Sequence, residues 1–130
     1  MAYRDRELLI DSLIHVWSAA NAPAAGTTCV ASVSANSSHE KMRLTQLGWS
    51  IRNAGAAAYT ATLNVRDASA AGPVLGSWDV VIPTAVSQAD TWAVNYVGSK
   101  GNPLFVDFGT PAASVTQKVS IAGWRNQSSD

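Results

Sequence analysis

Cysteine occurs once, as Cys29, and histidine twice, as His15 and His39, so the chain holds no internal disulfide and no multi-thiolate metal site. Charge is sparse as well. Nine Lys and Arg balance nine Asp and Glu, and charged residues are only 14% of the 130. A chain without a basic excess is a poor match for nucleic acid, whose recognition starts with phosphate neutralisation. Apolar runs such as Leu8–Ile10 are far too short to cross a bilayer as a helix. Met1–Asp5 passes from basic to acidic with no apolar stretch of signal-peptide length, so no secretory signal is expected. What is abundant is apolar surface, at 47% of residues, enough for one domain with a real core. These balances point to a folded, non-secreted chain without enzymatic equipment.

Two periodicities divide the sequence. Ile10, Leu13, Ile14 and Trp17 follow i, i+3, i+4, i+7 spacing, with Glu7, Asp11 and His15 on the opposite face. Asp5 would cap this segment and Asn21 with Pro23 would stop it, which predicts a short amphipathic helix or arm over residues 1–25. A strand over Ile14–Ser18 is the rival, because Ile, Val and Trp cluster there. From Gly26 the period becomes two. Tyr59, Ala61, Leu63 and Val65 alternate with Thr60, Thr62, Asn64 and Arg66. Val74, Trp78, Val80 and Ile82 repeat the pattern, as do Trp92, Val94 and Tyr96, then Leu104, Val106 and Phe108, then Val115, Val119 and Ile121. Earlier strands are expected in 27–34 and 42–52, the second with a phase slip near Thr45–Gln46 of the kind a β-bulge makes. Breakers such as Pro83-Thr-Ala and Gly98-Ser-Lys-Gly-Asn-Pro103 separate the runs. The pattern predicts an all-β, antiparallel sandwich or barrel of about seven to eight strands over residues 26–130.

No constellation of reactive groups stands out. Glu7, Asp11 and His15 read as a solvated face rather than metal ligands, since two carboxylates and one His lack a supporting shell. His39-Glu40-Lys41 has no nucleophile elbow beside it and reads as a polar turn. Asp67, Asp79, Asp90 and Asp107 lack the spacing of a calcium loop or a glycosidase pair. Asp67 is expected to start a turn, and Asp79 and Asp107 to face outward. No catalytic residue, cofactor or metal is expected. The five tryptophans are the unusual feature. Trp49, Trp78 and Trp92 fall in the inward phase and are expected in the core. Trp17 and Trp124 fall outside it, and with Ile10, Leu13 and Ile14 they are the candidate interaction residues. The outward positions carry Thr, Ser, Asn, Gln and Ala, a surface that costs little to desolvate and suits subunit packing.

Three stretches resemble small virion proteins of tailed bacteriophages. Ala22-Pro-Ala-Ala-Gly-Thr-Thr-Cys-Val-Ala-Ser-Val-Ser34 followed by Glu40-Lys-Met-Arg-Leu-Thr-Gln-Leu-Gly-Trp-Ser-Ile51 is similar to their opening hairpin. Thr60-Ala-Thr-Leu-Asn-Val-Arg-Asp67 with Gly72-Pro-Val-Leu-Gly-Ser-Trp78 resembles the central hairpin, and Val115-Thr-Gln-Lys-Val-Ser-Ile-Ala-Gly-Trp124 the last strand. The resemblance implies a jelly-roll-like β-sandwich that serves as a capsid decoration (cement) or fibre-associated subunit. It further implies a homotrimer on the capsid exterior, assembled in the host cytoplasm, whose partner is the major capsid protein. A tail-fibre or host-surface glycan-binding module is the alternative, with exposed Trp and Asp as its binding groups.

Overall fold

The computed structural model describes residues 14–127. Eight strands follow in order: β1 (Ile14–Asn21), β2 (Cys29–Val33), β3 (Glu40–Asn53), β4 (Tyr59–Asp67), β5 (Val74–Ile82), β6 (Val86–Val97), β7 (Leu104–Phe108) and β8 (Val115–Gln127). They form two four-stranded antiparallel sheets, β1-β8-β3-β6 and β2-β7-β4-β5. First pairs with last, second with seventh, third with sixth and fourth with fifth. The chain is thus one long hairpin rolled over itself, closed at its tip by the β4–β5 turn. That is the jelly-roll order, two Greek keys in a double sheet.

Alternation places the core. On β4, Ala61, Leu63 and Val65 are fully buried while Thr60 and Thr62 are exposed, as the period-two pattern requires. Leu44, Leu47 and Ile51 from β3 and Val106 and Phe108 from β7 complete the filling between the sheets. Each such side chain contributes about 1.5–3 kcal/mol on leaving water. The expected bulge is present. Register slips between Leu44 and Gln46 against both neighbouring strands, and the Thr45 hydroxyl donates to the Ala122 carbonyl at 3.4 Å. One extra residue lets both Leu44 and Leu47 point inward.

The helix expected over the N-terminal segment is corrected where the structure describes it. Ile14–Asn21 is strand β1, paired residue for residue with β8 from Ile14↔Asn126 to Asn21↔Val119. Trp17 is buried, its ring set over Gly123, where a Cβ would come within 2.8 Å of the indole and collide with the Arg43 carbonyl. Helical spacing at Ile14 and Trp17 lost to a partner strand that offers both a ladder and a glycine-floored slot. Asp5, Glu7, Ile10, Asp11 and Leu13 lie outside the described residues.

Candidate functional site

Two surfaces stand apart from the core. The first is the outer face of the β1-β8-β3-β6 sheet. Paired residues share a face, so the rows Ser18–Ala122–Gln46–Ala93 and Ala20–Ser120–Gly48–Thr91 run straight across all four strands. Every side chain in these rows is small or uncharged. The Gly48 position is filled by its neighbours, since a Cβ there would meet the Ser120 hydroxyl at 2.6 Å. Shallow depressions of about 490 and 530 Å³ lie over these rows. At one end stands Trp124, with the Arg43 guanidinium 5.0 Å from its ring centroid. Arg43 is held there by a hydrogen bond to the Asn95 side chain, and Val16, 87% exposed, sits across from Trp124 on β1. A cation over an indole contributes about 0.5–1 kcal/mol at such a site and fixes the ring.

Of the proposed interaction residues, the structure therefore places Trp124 on this face and removes Trp17 from it. Trp17 is 8% exposed and belongs to the core. Ile14 pairs with Asn126 at the start of β1, while Ile10 and Leu13 fall outside the described residues. Val16, Arg43 and Asn95 were missed. An alternating Ile-His-Val-Trp run read as a strand would have sent Val16 outward, but nothing local to Arg43 announces that Trp124 is its neighbour.

The second surface is the side where β5 and β6 end their respective sheets. Trp78, Val80, Trp92, Val94 and Tyr96 all face inward here, yet all are only half-buried, because among the described residues no further strand closes the gap. The expectation that Trp78 and Trp92 are core is met in direction and only partly in burial. Rings fill the gap: Trp49–Trp92 at 5.7 Å and Trp78–Tyr96 at 5.7 Å meet edge to face, and Trp78–Trp92 at 5.5 Å is tilted. Gly76 makes room for Tyr96, whose ring would lie 2.7 Å from a Cβ at that position. A cleft of about 620 Å³ runs along β6, lined by Trp78, Trp92 and Tyr96 with Thr91 and Asn95 at its rim. The Trp92 indole N–H donates to Asp90 at 2.9 Å, and the same carboxylate accepts the Thr91 amide at 2.8 Å.

The acidic residues go separate ways. Asp79 faces outward and accepts the Thr62 hydroxyl at 2.7 Å. Asp67 ends β4 and takes the amide of Ser99 at 3.1 Å together with its hydroxyl, tying the Asp67–Pro73 turn to the β6–β7 loop. Asp107 also faces outward but is 8% exposed; burial raises its pKa above the ordinary carboxylate value, against the pull of Arg66 at 3.1 Å. Glu40 is a buried strand residue rather than part of a polar turn. Its carboxylate accepts the Asn36 amide at 2.5 Å and lies 4.0 Å from Arg125. Cys29 is fully buried, and burial pushes its thiol up to about 11. Among the described residues no three His, Cys, Asp or Glu converge on a possible metal position.

No protein-family model and no curated protein matches the chain. Solved structures do. The chain is similar to one from an empty virus-like particle of Cowpea Mosaic Virus, at 10% identity over 89% of this chain and 84% of that one, with a TM-score of 0.48. It is similar to one from Desmodium yellow mottle tymovirus, at 10% identity over 88% and 87%, with a TM-score of 0.42. A third is the carbohydrate-binding module CBM36 in complex with calcium and xylotriose, at 14% identity over 79% and 77%, with a TM-score of 0.41. The jelly-roll order itself rests on the strand pairing of this chain.

Proposed function

We propose that the chain is a non-enzymatic structural subunit of a virion, a decoration protein that lies on the exterior of a tailed-phage capsid and binds its major capsid protein. The observation that carries this reading is the outer face of the β1-β8-β3-β6 sheet, two full rows without a charge, ending in the Arg43–Trp124 pair. Burying such a face against a shell costs little desolvation, and Trp with Arg supplies the anchor type that dominates interface energetics. Repetition over a lattice then turns weak single contacts into firm retention. The action is mechanical: bridged shell subunits separate only when the added contact breaks too. The test mixes purified protein with undecorated capsids and reads co-sedimentation. Ala122→Lys and Trp124→Ala are expected to lose binding while keeping the wild-type far-UV spectrum. Retained binding in both would refute the assignment of the face.

One observation favours a second reading, a glycan-binding module of a tail fibre or host-surface contact. The cleft along β6 joins two indoles and a phenol to a polar rim, the combination that stacks on a sugar ring and hydrogen-bonds its hydroxyls. Binding on a glycan panel that is lost in Trp78→Ala, with no binding to capsids, would establish this reading over the first.

A further inference from the structure

The outer face of the β1-β8-β3-β6 sheet carries charge of one sign among the described residues. Pairing and alternation put Lys41, Arg43 and Arg52 of β3 and Lys118 of β8 on it, since their chain neighbours Met42, Leu44, Ile51 and Val119 are buried inward. No described carboxylate shares the face. Asp79 and Asp107 face outward from the other sheet, Asp90 pairs with the inward Trp49, and Glu40 and Asp67 are buried. The other described cations lie elsewhere: Arg66 and Arg125 stand beside Asp107 and Glu40, and Lys100 sits in the β6–β7 loop. On the face, the cations gather at its two ends. Lys41 and Arg43 lie at the Trp124 end. At the other end Arg52 pairs with Thr116 and Ser87 while Lys118 pairs with Ser50, which makes Arg52 and Lys118 diagonal neighbours. Such neighbours lie about 7–8 Å apart, and like charges so placed repel. A depression of about 320 Å³ lies over them, lined as well by Ser50, Ser87 and Thr116.

We infer that this face recognises an acidic protein surface, one that offers carboxylates at two places roughly 30 Å apart, the span from Arg43 to Arg52 at about 3.3 Å per residue. The inference rests on the reading of the face as the shell contact and names the chemistry of its partner. Like charges held together without a counter-ion destabilise the free chain, and an opposed carboxylate relieves that repulsion on contact. At the Arg52 end the guanidinium and the Lys118 ammonium supply charged donors to such a carboxylate, and the hydroxyls of Ser50, Ser87 and Thr116 can donate beside them. The uncharged rows between the ends match a partner surface that is neutral in the middle, and the charged ends fix its orientation. Other occupants fit less well. A second copy set face to face brings cations against cations in either direction. A nucleic-acid duplex carries a phosphate charge at about every 1.7 Å of its axis, which calls for a continuous basic stripe and not for two ends with neutral rows between. A free phosphate would engage one end alone.

Binding of the full chain to undecorated capsids at low and high salt tests the inference. Between about 0.1 M and about 1 M salt the screening length falls from about 10 Å to about 3 Å. Wild type is expected to bind more weakly at the higher salt, on the order of tenfold. Arg52→Glu and Lys118→Glu are expected to lose a similar factor at the lower salt. Each sets a carboxylate beside the remaining cation, so both should melt no lower than wild type, which keeps misfolding out of the result. Lys100→Glu makes the same change in net charge away from the face and is expected to bind like wild type; an equal loss there would overturn the inference. Binding that ignores salt and survives both reversals would overturn it too, and leave the decoration role standing. If wild type ignores shells, the decoration role falls, and poly-glutamate is the probe that decides the acidic-partner claim. Binding to it that is lost in Arg52→Glu supports the claim, and no binding overturns it. Tighter binding to duplex DNA or to a sulfated polysaccharide than to poly-glutamate would assign these cations to another polyanion and overturn the claim as well.

Discussion

Truncating Trp92 to alanine asks whether the open side is part of the folding core or only a ligand platform. A buried Trp cut to Ala costs about 3–5 kcal/mol, but Trp92 is half-buried and gives up less transfer free energy. It also contacts Trp49 and Trp78 at 5.7 and 5.5 Å, and each aromatic pair adds about 0.5–1.5 kcal/mol beyond its area. Loss of the indole also leaves Asp90 without that donor, a small cost because Asp90 is exposed. The sum is about 2–3 kcal/mol, or roughly 10 °C in melting temperature for a domain of this size. Urea unfolding followed by far-UV circular dichroism measures it, with the slope expected to match wild type. A loss below about 1 kcal/mol would refute the claim that these rings join the two sheets, since surface substitutions typically fall within about 0.5 kcal/mol. That result together with lost sugar binding would move Trp92 to the glycan reading.

Gly123→Ala should destabilise by about 1–3 kcal/mol or more, because its Cβ collides with the Arg43 carbonyl, a backbone group that cannot rotate away; thermal melting reads it, and a neutral result would mean that β8 and β3 lie farther apart at this point. Asp107 has a raised pKa in the fold, so its contribution is fully present below its unfolded value near 3.8 and is lost as pH rises through the higher folded value. Asp107→Asn should therefore flatten stability across the mildly acidic range, seen as denaturation midpoints that no longer fall with rising pH relative to wild type. Cys29 follows the same sign at higher pH: its contribution holds below 9.0 and is lost as pH rises through about 11. At neutral pH its thiol should react with a soluble disulfide reagent only as fast as the protein unfolds, and rapid native-state labelling would contradict its burial.

Strand content after Gly26 was legible because one residue in two had to be apolar, and Tyr59–Arg66 shows that alternation without interruption. The bulge at Thr45 was legible for the same reason, as a break in phase that an extra residue on β3 against β8 repairs. Ile14–Trp17 was ambiguous, because Ile and Trp three apart satisfy a helix and Val16 flanked by polar and aromatic residues satisfies a strand. Val86–Asp90 gave no strand signal: as part of a sheet edge it needs no apolar alternation, and its pairing with Asn53–Trp49 rests on backbone bonds. Glu40 read as solvated because nothing nearby in sequence reveals Arg125, its neighbour at 4.0 Å.

The alternating faces and the turns were readable from the residues alone, since both depend on positions a few places apart. The tertiary structure decided what depends on strand order. It brought Trp124 under Arg43 across the β3–β8 pairing, placed Trp17 in a slot over Gly123, and left β5 and β6 as the unclosed side of the sandwich. Composition set how many tryptophans the chain carries. Which are core, which face a partner and which line a cleft follows from the neighbours that the roll of the hairpin supplies, because burial belongs to a side chain's surroundings and not to the side chain alone.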